Sequence, residues 1–322
     1  MTDIAQEGIT MNCSKQTSYN SILTTTIAGV ELKNPVIPAS GCFGFGYEMS
    51  RFYDLNLLGA IAIKGTTSQP RYGNELPRIA ECPSGMLNAI GLQNPGVKAV
   101  IREELPKLRD CYTGPVIANI SGFSVDEYVE VASYFNQTDV AILEVNISCP
   151  NAKDGGMVFG TTAEAAAEVT RAVKEVAEKP VFVKLTPNVT DIVSIAKSCE
   201  NEGADGLTLI NTLLGMRIDP RSGKPIVSIG AAGLSGPAIK PVAVRIVYQV
   251  ATAVNIPIIG VGGICCCDDV IEMISAGATA VQIGSANLIN PYVAKEIIEL
   301  LPAKLVEYGI DSINECIGRS FR

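Results

Sequence analysis

The stretch VFVKLTPNVTDIVSIAKSCENEGADGLTLIN, residues 181–211, decides the fold. It opens with a near-continuous apolar run, 181–186, of the kind buried on both faces of a parallel sheet. A helical pattern follows over 191–202, and Gly203-Ala204-Asp205 reads as its stop. A second apolar run, 206–211, completes a strand–helix–strand step. The polar residues sit late in each run: Lys184 in the first, Asn211 at the end of the second.

Working outward, the same alternation recurs. Apolar, β-branched runs at 35–40, 60–65, 116–121, 142–148, 256–262 and 280–285 bring the strand candidates to eight. Helical patterns at 162–178, 241–253 and 268–276 lie between them, the first opening on Thr161 and Thr162 as caps. Eight such steps over about 250 residues predict a TIM (β/α)8 barrel. An open doubly wound sheet is the other α/β solution. It calls for a G-x-G-x-x-G turn after the first strand, and residues 40–46 do not have that spacing. Residues 24–34 alternate and turn at Ala28-Gly29, which predicts a short hairpin plugging the barrel floor. Residues 1–22 are polar and lack a signal-peptide core, and read as a short disordered leader. Residues 23–322 then form a single domain.

Composition narrows the function classes. The 322-residue chain is 47% hydrophobic and 18% charged, which suits a large core. A net charge of −8 and the lack of a Lys/Arg cluster set nucleic acid aside. The long uncharged stretches 246–267 and 274–294 are broken by Gly, Pro, Asn and Gln, so they read as buried strands and loops, not as membrane spans. Ten cysteines without a C-x-x-C pair point to reduced thiols in a cytosolic protein. Histidine is absent, so acid–base chemistry falls to Cys, Lys, Asp, Glu or Tyr.

In a barrel the catalytic groups stand at the C-terminal ends of the strands. All eight candidates end on polar or glycine residues: Ser40, Lys64-Gly65, Asn119, Asn146, Lys184, Asn211-Thr212, Gly262-Gly263 and Gly284-Ser285. One asparagine after a strand is ordinary turn chemistry; eight strands of eight are not. Two lysines at inward-facing strand ends would be costly to bury without an anionic ligand. The glycine pairs after strands seven and eight, with Gly236 upstream, suit a phosphate held by backbone N–H groups. Cys149 follows the fourth strand, in Asn146-Ile147-Ser148-Cys149-Pro150-Asn151. An arbitrary free cysteine is usually a small buried hydrophobe. This one stands at a catalytic rim between two asparagines, where a tuned thiol can act as a base. The run Cys265-Cys266-Cys267 reads as no metal site, because three consecutive residues do not readily face one ion.

Taken together, these segments resemble class 1 dihydroorotate dehydrogenases, FMN-dependent barrel enzymes of pyrimidine synthesis. The resemblance rests on the stretches 38–41, 64–67, 88–96, 146–151, 183–188, 210–212 and 260–264, and runs from about Thr24 to the C-terminus. The stretches 64–67, 88–94 and 210–212 resemble subclass 1B rather than the fumarate-using 1A. The resemblance implies that Cys149 removes the C5 proton of dihydroorotate while hydride leaves C6 for the flavin. It implies that Lys64, Asn88, Ala89, Ile90, Gly91, Leu92, Asn146, Asn211 and Thr212 hold substrate. It assigns FMN, one per chain, to Ser40, Lys64, Gly65, Asn119, Asn146, Lys184, Ile210, Gly236, Gly262, Gly263, Gly284 and Ser285. It further implies a homodimeric core joined by two partner subunits carrying FAD and a 2Fe–2S cluster, with NAD as final acceptor. The rival readings are a fumarate-reducing 1A-type enzyme, a dihydropyrimidine dehydrogenase-like flavoenzyme, a Schiff-base aldolase using Lys64 or Lys184, and a non-catalytic flavin-binding barrel.

Overall fold

The computed structural model describes residues 22–148 and 158–322. Residues 1–21 of the expected leader, and Cys149 with its neighbours Pro150 and Asn151, lie outside the described residues. In chain order the strands begin with β1 (Thr25–Ile27) and β2 (Val30–Leu32), an antiparallel pair. β3 (Val36–Pro38), β4 (Ile61–Thr66), β5 (Ile79–Cys82), β6 (Gly85–Asn88) and β7 (Val116–Ile120) follow. Next come β8 (Ile142–Asn146), β9 (Val181–Leu185), β10 (Gly206–Leu209) and β11 (Leu213–Gly215). β12 (Ala232–Ser235), β13 (Ile258–Val261) and β14 (Ala280–Ile283) complete the set.

All eight expected barrel strands form. They join in the order β3-β14-β13-β10-β9-β8-β7-β4, every pair parallel. The Gly59 N–H donates to the Val36 carbonyl at 3.0 Å across the two outer strands, so the sheet nearly closes on itself. Several strands stop short of the predicted bounds: β10 ends at Leu209 and β14 at Ile283. The polar residues beyond these ends leave the ladder and turn toward a cavity.

The crossover helices follow from local chemistry. Thr162 caps Ala163–Val176 by accepting from the Ala165 N–H, and Asp191 caps Ile192–Asn201 through Val193 and Ser194. Helices Lys240–Ala251 and Cys267–Ser275 precede β13 and β14. Their apolar faces and the outward strand residues form the larger core, which includes Val169, Val173, Ile195, Val247 and Ile271. Among the described residues no helix is long and apolar enough to cross a membrane.

The inside of the barrel has its own core. Ile37, Ala62, Ile117, Ile142, Phe182, Ile259 and Ala280 point inward at the N-terminal end, where Ile27 and Leu32 of the hairpin pack against them. The hairpin turn puts Ala28 at φ 46° and Gly29 at φ 80°, the pairing a two-residue turn of this hand requires. β9 and β10 are matched in size at the floor: Gly206 stands beside Phe182, and a Cβ on Gly206 would come within 2.2 Å of the ring.

The sequence reading did not foresee a second sheet, antiparallel, in the order β11-β12-β6-β5. It is built from the loops after β4 and β10 and carries a small core of Leu87, Ala89, Val227 and Ala232. Met86, Asn88, Thr212 and Ser235 from this region form one wall of the cavity at the barrel's C-terminal end.

Candidate active site

Above the apolar floor the barrel interior turns polar. Glu144, on β8, is fully buried and receives three donors: Asn119 Nδ2 at 2.7 Å, Thr208 Oγ1 at 2.9 Å and Gln282 Nε2 at 2.6 Å. Lys184 Nζ lies 3.6 Å from Glu144 Oε1 and donates to Gln282 Oε1 at 3.2 Å. The strand register explains the grouping, since Asn119 pairs with Glu144 and Lys184 with Thr208 on neighbouring strands.

One rung higher is the cavity. Its lining includes Ser40, Lys64, Gly65, Asn88, Ile90, Gly91, Leu92, Asn119, Asn146 and Lys184. It continues with Ile210, Asn211, Thr212, Gly236, Gly262, Gly263, Gly284 and Ser285. The structure thus brings the described candidate residues to one cavity, with one exception. Ala89 faces away, into the core of the second sheet, although its carbonyl accepts from Asn74 Nδ2 at 2.9 Å behind the loop.

Two asparagines hold the backbone that leads into residue 149. Asn211 Nδ2 donates to the Ser148 carbonyl at 3.0 Å and to its Oγ at 2.9 Å. The Ser148 hydroxyl donates in turn to Asn146 Oδ1 at 2.8 Å. From the helix side, Tyr128 OH donates to the Asn146 carbonyl at 2.8 Å. The loop 88–96 is fastened by Asn94, which is 5% exposed and makes four bonds. It accepts from the Thr67 and Gly96 N–H groups and donates to Thr67 Oγ1 and the Leu92 carbonyl.

The residues present fit a flavin phosphate ester. Lys64 and Lys184 supply positive charge inside the cavity. Gly262 (φ 133°) and Gly263 (φ 74°) adopt backbone conformations that disfavour side chains, which brings their peptides to the surface of the site. Asn119 Oδ1 is buried without a hydrogen-bond partner among the described residues, an acceptor left over once Glu144 has taken the amide. Two described thiols also border the cavity. Burial pushes Cys42 up to about 11, against the pull of the Lys184 and Lys64 charges. Burial, then the Asp269 carboxylate that accepts from it, pushes Cys265 up to about 12. Neither is poised as a base near neutral pH.

The three consecutive thiols do not all face one point, although the Cys265 and Cys266 thiols and an Asp269 carboxylate oxygen lie within 4.8 Å of one another. Cys267 turns inward, its thiol toward the Ile297 carbonyl, whereas Cys265 and Cys266 face Asp269. That carboxylate already accepts from both their N–H groups and from Lys240 Nζ at 2.5 Å.

With this geometry in view, the relatives are informative. The profile described as Dihydroorotate dehydrogenase matches residues 22–305. The chain belongs to the dihydroorotate dehydrogenase family. It is 61% identical over 300 residues to the "Dihydroorotate dehydrogenase B (NAD(+)), catalytic subunit" of Anoxybacillus flavithermus, covering 93% of this chain and 96% of that protein. The proteins of the same description from Geobacillus kaustophilus and Bacillus caldolyticus are 59% and 58% identical over 301 residues, again covering 93% of this chain and 96% of theirs.

For a member of the dihydroorotate dehydrogenase family, several site residues escaped the sequence reading. Glu144, Thr208 and Gln282 are not among the residues the sequence pattern singled out, although a charge in the middle of Ile142–Asn146 is a legible signal. Ser148 was in plain view inside the Cys149 segment, yet its part in fastening that segment depends on Asn211, 63 residues away. Cys42 lacked any sequence signal beyond following Ser40-Gly41.

Proposed function

We propose that this chain is the FMN-binding catalytic subunit of a B-type, NAD-linked dihydroorotate dehydrogenase. Membership of the family makes the reaction the oxidation of dihydroorotate to orotate in pyrimidine biosynthesis. One observation carries the finer reading: Asn88, Asn146, Asn211 and Thr212 meet in one cavity with two lysines, at the rim where the chain runs into residue 149. Asparagine amides offer both donors and acceptors, which matches the amide edges of a dihydropyrimidine ring. Lys64 suits its carboxylate. Lys184 suits the electron-rich pyrimidine edge of a reduced flavin. When bound, FMN supplies the acceptor for the hydride that leaves C6. Cys149 takes the C5 proton as general base, and no covalent adduct is needed. Asn211, Ser148 and Asn146 fix the backbone that leads into residue 149.

The relatives named "catalytic subunit" and "NAD(+)" support an electron-transfer partner for this chain as well. We assign FAD and a 2Fe–2S cluster to that partner, around a homodimeric core with two partner subunits. The deciding experiment is an anaerobic titration. Protein carrying FMN is expected to bleach on adding dihydroorotate, and Cys149→Ala to slow bleaching by about 10²–10⁴-fold. Unchanged bleaching in Cys149→Ala would remove the thiol from the mechanism, and a colourless protein trapped by borohydride would favour the aldolase. Fumarate turnover by the chain alone would overturn the B-type assignment. NAD reduction only after adding an iron–sulfur flavoprotein would support it.

A further inference from the structure

We infer that Glu144 is a positioning residue for flavin reduction, acting through Lys184. Glu144 does not line the cavity, whereas Lys184 and Asn119 do, and both contact its carboxylate from above. Its four neighbours present three hydrogen-bond donors and an ammonium, and the two amides and the ammonium turn N–H groups toward it. That inventory belongs to an ionised carboxylate. Gln282 confirms the polarity, because its oxygen faces Lys184 and its amide faces Glu144. The Lys184 side chain is 7% exposed and that of Glu144 is 0% exposed, so solvent screens the pair little.

Two consequences follow for the residue above. The carboxylate and Gln282 fix where Lys184 Nζ lies before any ligand arrives. The negative charge also offsets part of the positive charge that Lys184 presents to the cavity. An unopposed lysine favours the reduced, anionic flavin more strongly. Glu144 therefore keeps the flavin potential lower than Lys184 alone would set it, which eases onward electron transfer to an acceptor of low potential. This rests on FMN occupying the cavity as proposed above.

The test reads the midpoint potential of bound FMN in the wild type, Glu144→Gln, Lys184→Met and the double variant. Glu144→Gln is expected to favour the reduced flavin about tenfold, a rise of about 30 mV for two electrons. Lys184→Met is expected to shift it the opposite way. In the Lys184→Met background the effect of Glu144→Gln should vanish, because the ammonium through which Glu144 acts is gone. A purely structural Glu144 would lower the melting temperature and leave the potential in place, which overturns the inference. So does an equal shift in both backgrounds. If Glu144→Gln does not fold, Thr208→Val removes one donor that offsets the carboxylate's charge at nearly constant shape, and a small shift the opposite way, toward a lower potential, is required. Wild-type protein that fails to retain added FMN refutes the cofactor assignment itself, a result separable from a retained flavin with an unmoved potential.

Discussion

The two ends of the same barrel spend their side chains differently. At the floor, inward positions hold Ile37, Ile117, Ile142 and Phe182, sealed by Ile27 and Leu32 of the hairpin. At the rim, the next inward positions along three of the same strands hold Asn119, Glu144 and Lys184, with Asn146 one inward position beyond Glu144. Strand geometry is the same at both ends, since side chains alternate with period two whatever they are. The floor gains free energy from apolar burial at about 25 cal/mol per Å². The rim forgoes that gain and holds charge in place by mutual hydrogen bonding. Stability and function are therefore separated along the barrel axis, one rung apart.

That separation can be broken from either end. The largest effect on stability is expected at the floor, where Phe182→Ala should cost about 3–5 kcal/mol by emptying space beside Gly206. Denaturant unfolding measures it, and the KM for dihydroorotate should stay unchanged. A large KM change would mean that floor and rim are coupled. At the rim, Asn211→Ala removes both donors to Ser148 and should slow dihydroorotate-driven flavin bleaching about 10- to 100-fold. The melting temperature should move little, because Asn211 is only partly buried. The smallest effect is electrostatic and lies just outside the rim. Burial would raise the Asp269 carboxyl, but the Lys240 ammonium and the Cys265 and Cys266 donors outweigh it and hold the group at about 2. A folded value below the unfolded one, about 3.9, contributes stability at higher pH that is lost as pH falls through the interval from about 4 to about 2. Asp269→Asn should flatten the acid limb of a plot of melting temperature against pH, with the two proteins converging at the acid end.

The floor was the more legible end in the sequence. Continuous apolar runs such as 181–186 mark buried parallel strands, and the Ala28-Gly29 turn marked the hairpin. Strand-end residues marked the rim, because in a barrel position along a strand already fixes depth. Two things were hidden. The second sheet uses strands of three or four residues, several of them partly exposed, too short to carry a period. The Glu144 cluster draws on five strands, and Gln282 reaches Glu144 across 138 residues. Only strand order and register bring such residues together. The stretch 88–96 shows the converse limit. It reads as one motif, but Asn88, Ile90, Gly91 and Leu92 face the cavity while Ala89 fills a core and Asn94 serves as a fastener.

The hairpin beneath the floor also sets a rule of traffic. Ile27 and Leu32 have no exposed surface and close the axis from below. Whatever reaches the depth of Lys184 enters past the loops at the top and departs the same way. Such a vessel empties in the reverse order of filling. An inner guest is held by the one above it, so its residence time becomes a property of the outer guest's departure as much as of its own contacts.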